Sequence, residues 1–289
     1  MRVVPQAFYQ NPHLKKILAD GLCSLIYKRV TQVDENRDRY LAAHALTLVQ
    51  HGSLKITTYD GQFLAVGEGE LIFLPKGLYI ITDRLPRKRP FEALVCFFDD
   101  ELLATRRAVD TAPLQASGKP FVMEIPDAVK LFTRNLLDLY DGRGGDQRAV
   151  VRPKLLEILH LLEQSRAGER FGAELAALHR RGKKSLPDFM WANYSKPLKI
   201  EDYAYLTGRS ISTFHRDFKA CFGASPKRWL IDRRLERARS LLQEGQGSVA
   251  EVAQAAGYEN VPHFIKSFRK RFGITPGQFS IQSRIESAF

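Results

Sequence analysis

A chain of 289 residues with 44% hydrophobic and 26% charged content is globular in make-up and long enough for two domains, which sets aside a disordered or fibrous protein. Three cysteines, Cys23, Cys96 and Cys221, are odd in number and without metal-ligand spacing; this argues against a disulfide framework or zinc site and reads as buried, reduced thiols. The formal net charge of +12 is unevenly spread, with 18 Lys or Arg against 10 Asp or Glu from Lys183 onward, so most of the excess lies in about the last third and favours a polyanion partner there.

No apolar signal segment opens the chain, and no run approaches roughly 18 apolar residues, so a cytoplasmic protein without a membrane partner is expected. Residues 1 to 20, with Pro5 and Pro12 near a small basic cluster, read as a poorly ordered lead-in. Strand patterns follow at 22–30, 44–52, 54–59, 62–77, 78–83 and 91–98, with Asp60-Gly61 as a hairpin turn. Short strands and frequent turns without intervening helices predict an antiparallel barrel or jelly roll. The piece GEGELIFLPKG, Gly67 to Gly77, resembles the turn and strand of cupin barrels. Metal-binding cupins need converging histidines and a carboxylate, whereas His44 and His51 stand an odd number apart and point to opposite faces of one regular strand. They read as surface or edge histidines, and no metal or other cofactor is expected.

Apolar residues at helical spacing predict helices over 128–140 and 148–164, joined as an antiparallel pair by Gly142 to Gly145. In the second, Leu155, Leu159 and Leu162 form a stripe that either packs on the barrel or makes a dimerisation face. The charged, glycine-punctuated stretch 167–184, ending in HRRGKK, reads as a linker between one domain at 1–166 and another at 185–289.

The second domain is organised by a repeat. In SVAEVAQAAGYENVPHFIKSFRKRFG, from 248, Ser248 and Glu251 form a capping box, and Val249, Val252, Ala253 and Ala256 share one face. Gly257 turns the chain, Asn260 caps the next helix, and Pro262 sits in its first turn. IEDYAYLTGRSISTFHRDFKACFG, from 200, repeats the plan with a turn at Gly208 and a cap at Ser210 or Ser212. Both copies run on into Phe-Gly, then Ser-Pro or Thr-Pro, so each leads into a further helix. The helix between them, 226–244, is a rigid spacer whose five arginines between 228 and 239 put one side towards phosphates.

SISTFHRDFKACFGASPKRWLIDRRLERARSLL at 210–242 and SVAEVAQAAGYENVPHFIKSFRKRFGITPGQF at 248–279 resemble the AraC family of transcription regulators. The resemblance implies an α+β chain: an N-terminal cupin-like antiparallel β-barrel with two appended helices, then an all-α domain with two helix-turn-helix units entering successive major grooves. It implies double-stranded promoter DNA and RNA polymerase as partners, activation, a small-molecule effector or a protein acting on the N-terminal domain, and a homodimer. FMWANYSKPLKIEDYAYLTG, from 189, is similar to the activators of type III secretion, whose N-terminal domains answer to an anti-activator protein.

By the family pattern, Ser212, His215 and Arg216 on the first reader helix face bases, Arg216 being suited to guanine O6 and N7. On the second, the matching positions hold Val261, Pro262, Ile265 and Lys266, which offer methyl contacts and few hydrogen bonds. His263 has both a base-edge and a packed reading. Ser210, Lys219, Arg228, Asn260, Arg269 and Lys270 are the expected phosphate contacts. No catalytic residue is assigned. An enzymatic or metal-binding cupin domain is the rival reading; DNA alkylation repair needs a reactive cysteine beside a histidine, and Cys96 is flanked by Val95 and Phe97.

Overall fold

The structure, a computed structural model, describes residues 2–11, 14–32, 37–58, 61–86, 89–105, 118–140, 146–178, 183–245 and 247–286. Two units separate, 1–181 and 182–289. The first carries β1 (Arg2–Val4), α1 (Gln6–Tyr9), β2 (Leu14–Asp20), β3 (Cys23–Val30), β4 (Arg37–Leu41), β5 (His44–His51), β6 (Ser53–Thr58), β7 (Phe63–Val66), β8 (Glu70–Leu74), β9 (Gly77–Arg84) and β10 (Phe91–Phe98). It ends with α2 (Asp100–Ala104), β11 (Phe121–Glu124), α3 (Asp127–Tyr140), α4 (Arg148–Glu163) and α5 (Gly168–Ala177).

The strands form a five-stranded sheet, β1-β4-β9-β6-β7, and a six-stranded sheet, β11-β8-β5-β10-β3-β2. Side-chain alternation explains why the second sheet reads as continuous apolar runs. Phe91, Ala93, Val95 and Phe97 of β10 join the barrel core with Leu54 and Ile56 of β6. Leu94, Cys96 and Phe98 face the opposite way, into a core shared with α3, α4 and α5. One face of β10 therefore closes the barrel while the other seats the helices.

Several expectations are corrected. The lead-in is ordered: β1 pairs in parallel with β4, and β2 pairs with β3, because Val4 is buried in the barrel core and Ile17 and Leu18 in the core shared with the helices. Its short strands and prolines conceal that alternation. The segments β4, α2 and β11 add elements between those foreseen, and 62–77 breaks into two strands at Gly67 to Gly69. Within the stretch taken as linker, α5 is helical and buries Phe171 and Leu175, with Leu178 just beyond, at spacings of four and three. Leu155, Leu159 and Leu162 are fully buried in this unit's own core, so they present no face to a second copy.

His44 is likewise no edge histidine. It is fully buried beside Phe73 and Phe98, their ring centroids 6.3 and 5.7 Å away, with Nδ1 accepting the Lys76 N–H at 3.1 Å and Nε2 at 2.8 Å from Asp100 Oδ1. An Nδ1 that accepts a backbone N–H leaves the proton on Nε2, so the imidazole ties β5 to α2. Asp60, residues 142–145 and residues 179–182 lie outside the described residues; Gly61 has a φ of 88°, and β6 and β7 pair as the hairpin reading expects.

Inside the barrel, Lys28 Nζ lies 2.6 Å from Asp83 Oδ1, with the ammonium 5.8 and 5.4 Å from the ring centroids of Phe8 and Phe91. Val4, Leu41, Leu54, Ile81 and Phe97 help line the remaining cavity, of about 30 Å³.

The second unit is helical: α6 (Leu186–Asn193), α7 (Ile200–Leu206), α8 (Ile211–Phe222), α9 (Pro226–Gln243), α10 (Val249–Ala255), α11 (Val261–Phe272) and α12 (Pro276–Glu286). At 18 residues, α9 is about 27 Å long. Its Leu235, Ala238 and Leu242 pack against Val252, Ala253, Phe264 and Phe268, so the spacer is also a wall of the second helix-turn-helix.

Candidate nucleic-acid interface

The repeat seen in sequence is a repeat of packing. Phe214, Phe218 and Phe222 of α8 and Phe264, Phe268 and Phe272 of α11 occupy matching positions fifty residues apart. Centroids of Phe218 and Phe222 are 4.5 Å apart, those of Phe268 and Phe272 4.6 Å, and each central ring meets a third aromatic, Trp229 or Phe279, at 5.7 Å. These rings anchor one side of each reader helix and leave the other side for solvent.

The helix starts are set by local chemistry. Ser210 caps α8 by accepting the Thr213 N–H at 3.2 Å, and Asn260 caps α11 by accepting the His263 N–H at 2.8 Å. The cap side chains are thereby engaged, while both residues stay exposed beside the free N–H groups of a first turn, which suits an anion. The preceding turns also match. Gly208 and Gly257 have φ of 68° and 94°, and the next residue's N–H bonds Ala204 O or Ala253 O at 2.9 Å. They differ by one residue, since Glu259 intervenes before the second cap. The capping box of Ser248 and Glu251 forms as read, and its hydrogen bonds hold the Glu251 carboxyl below the usual range.

Exposure divides the expected contacts. Ser212, His215, Arg216 and Lys219 are all exposed along α8, Arg216 with 75% of its side chain accessible. On α11, Pro262, Lys266, Arg269 and Lys270 are exposed, but Val261 and Ile265 are half-buried and pack against the second unit's core. Branched apolar side chains beside Phe264 and Phe268 gain from that core, so part of each is withdrawn from the open face. His263 is exposed instead, its ring 6.0 Å from Tyr258. A signal for it existed in its place three residues after the cap.

The arginines of α9 are mostly structural. Arg234 donates from Nε to Tyr194 O at 2.8 Å and from Nη2 to Lys196 O at 2.6 Å; Arg237 Nε donates to Ala255 O at 3.1 Å; Arg233 lies over Trp191. Arg228 is exposed and keeps the phosphate reading. Of the cysteines, Cys23 and Cys96 are buried and Cys221 is exposed on α8, which corrects the third. Burial pushes the Cys23 thiol up to about 11 and the Cys96 thiol higher, so neither carries the thiolate that alkyl transfer needs.

This geometry is that of two exposed, basic reader helices on one repeated scaffold, and comparison with known proteins places it. A model of the ExsA N-terminal regulatory domain matches residues 44–173, and a helix-turn-helix domain model matches 203–281. The chain is 29% identical to the thermoregulatory protein LcrF of Yersinia pestis over 226 residues, 76% of this chain and 82% of the relative. It is 26% identical to the HTH-type transcriptional regulator ExsA of Pseudomonas aeruginosa over 238 residues, 78% and 82% of the two chains. The chain belongs to the AraC family of transcription regulators. A solved AraC-type DNA-binding domain from Chromobacterium violaceum matches 34% of this chain and 88% of that one, at 36% identity and a TM-score of 0.31. As an AraC-family member the protein is a DNA-binding transcription regulator, and its relatives are transcription regulators. Among the described residues, no helix is long and apolar enough to cross a membrane.

Proposed function

We propose that this protein activates transcription by binding promoter DNA through both helix-turn-helix units, in major grooves about one turn, roughly 34 Å, apart on one face of the duplex. The two units divide the work: α8 reads bases with Ser212, His215 and above all Arg216, and α11 chiefly grips phosphates through Lys266, Arg269 and Lys270, with Pro262 and His263 nearest the bases. The observation that carries this reading is the contrast at one matched pair of positions, where α8 exposes His215 beside Arg216 while α11 has Ile265 packed against the core beside Lys266. Ser210, Lys219, Arg228 and Asn260 complete the backbone grip.

Gel shifts with cognate and scrambled duplexes across a salt series test the division. Arg216→Ala is expected to lose about 1–3 kcal/mol of preference for the cognate site, whereas Lys270→Ala weakens both duplexes alike and lowers the salt slope by about one. Equal losses on both duplexes for Arg216→Ala would remove it as a base reader.

The N-terminal unit is the regulatory input, and the small size of the barrel cavity favours control by a protein partner over a small effector. This agrees with the resemblance to type III secretion activators. A thermal-shift screen is expected to find no metabolite that stabilises the first unit; a saturable rise with one would reinstate the effector. RNA polymerase is the downstream partner, and the protein works in the cytoplasm.

For self-association, the burial of Leu155, Leu159 and Leu162 leaves α3, where Leu131 and Leu139 are 57% and 48% exposed. Arg134 and Asp138 are exposed on the same helix, so an antiparallel two-fold pairing sets leucine against leucine and arginine against aspartate. A Leu131→Asp, Leu139→Asp variant is expected to sediment as a monomer where the native chain is a dimer. Unchanged sedimentation would exclude this face.

A further inference from the structure

The recognition helix α8 carries an acidic residue in an unfavourable place, Asp217, next in sequence to Arg216. A carboxylate near DNA repels phosphates, and one beside an exposed guanidinium competes with guanine for it. Asp217 Oδ1 is 3.5 Å from Arg216 Nη2, while Oδ2 accepts from Arg209 Nε at 3.0 Å. The two arginines are in different situations: 75% of the Arg216 side chain is accessible and only 9% of that of Arg209. Arg209 is held from its other end, its Nη1 donating to Thr207 O at 2.8 Å and Lys184 O at 3.0 Å. The Lys184 N–H in turn donates to Thr207 O at 3.2 Å, so the stretch entering this unit is pinned to the turn that launches α8. The hydrogen bond from Arg209 lowers the Asp217 carboxyl's pKa, with Lys183 and Arg216 as lesser aids.

We propose that Arg209 is a positioning residue for base reading: it holds the Asp217 carboxylate on the inner side of α8 and so leaves the Arg216 guanidinium for the DNA. A fixed cation tied to two backbone carbonyls outcompetes a mobile one for the same acceptor, because its ordering cost is met on folding. With Arg209 absent, Asp217 turns to Arg216, and the reader is engaged before DNA arrives. This inference rests on Arg216 being the base reader.

The full-length chain is tested by fluorescence anisotropy on cognate and scrambled duplexes, with circular dichroism melts alongside. Arg209→Ala is expected to lower the cognate-to-scrambled ratio about tenfold. Arg209→Ala with Asp217→Asn is expected to recover most of it, since an amide no longer holds the guanidinium; a purely structural arginine would show no such charge-specific rescue. Arg209→Lys, which keeps the cation beside Asp217, is expected to stay within about threefold of the native ratio, and it decides the matter if Arg209→Ala fails to fold. A native ratio in Arg209→Ala, no recovery in the double variant, or a tenfold loss in Arg209→Lys overturns the proposal. Arg216→Ala separates the two levels: if it leaves the ratio unchanged, the base-reader assignment fails, whereas if it lowers the ratio and Arg209→Ala does not, only the positioning role fails.

Discussion

Asp83→Ala is expected to cost the first unit about 3–5 kcal/mol, the range for removing one partner of a buried ion pair. Lys28 and Asp83 expose only 8% and 1% of their side chains, and the ammonium lies between the rings of Phe8 and Phe91. Deleting the carboxylate removes the acceptor 2.5 and 2.6 Å from a buried ammonium, beside a cavity with room for only a few waters. Replacing both residues by apolar ones of similar volume, Lys28→Met with Asp83→Leu, is expected to be close to neutral, because the desolvation of two ions disappears together with their attraction. Both tryptophans, Trp191 and Trp229, lie in the second unit, so two probes separate the effects. The strand signal in circular dichroism is expected to unfold earlier in Asp83→Ala, and the tryptophan fluorescence transition is expected to hold. A cost below about 1 kcal/mol would mean that the pair is hydrated in solution.

Gly257→Ala is expected to be the most damaging small substitution in the second unit, at about 2–4 kcal/mol, visible as an earlier tryptophan transition and a loss of affinity for every duplex. Two independent penalties coincide there. Its φ of 94° disfavours any residue with a Cβ, and that carbon would lie 2.5 Å from Ser195 O and 3.0 Å from Arg234 Nε. Ser195 sits in the 194–196 stretch that Arg234 clamps through the Tyr194 and Lys196 carbonyls. The turn of the second reader thus presses on the segment leading into the first, and widening it disturbs both. At Gly223, where φ is 68° but nothing lies within 4 Å of a built Cβ, alanine is expected to cost only the backbone term, about 1 kcal/mol. Equal effects at the two positions would show that crowding adds nothing.

The second unit was legible in sequence because its signals are local. Caps, a positive-φ glycine, a first-turn proline and phenylalanines at helical spacing each fix a backbone conformation within a few residues, and their recurrence fifty residues on removed the ambiguity. What stayed hidden there depended on tertiary contacts. Nothing in the spacing reveals that Ile265 leans inward while His263 stays outside, since both lie near the edge of the apolar face. The first unit was legible only where strands are long. β1 and β4 gain stability from pairing with distant partners, and α5 hides its Phe171 and Leu175 among Glu169, Arg170 and Glu174. The leucines of α4 could be recognised as one stripe, but which surface they met could not, because an intramolecular core and a dimer interface draw on the same apolar residues.

The unlike faces of α8 and α11 bear on how regulated genes diverge. On the proposed division of work, mutations drifting through the half of an operator under α11 are expected to meet little resistance, because a phosphate grip is indifferent to which bases lie beneath it. The half under α8, if read by hydrogen bonds as proposed, is expected to stay uniform. An alignment of control regions answering to this protein should therefore show one sharp block of bases and one blurred one, always in the same polarity relative to the gene.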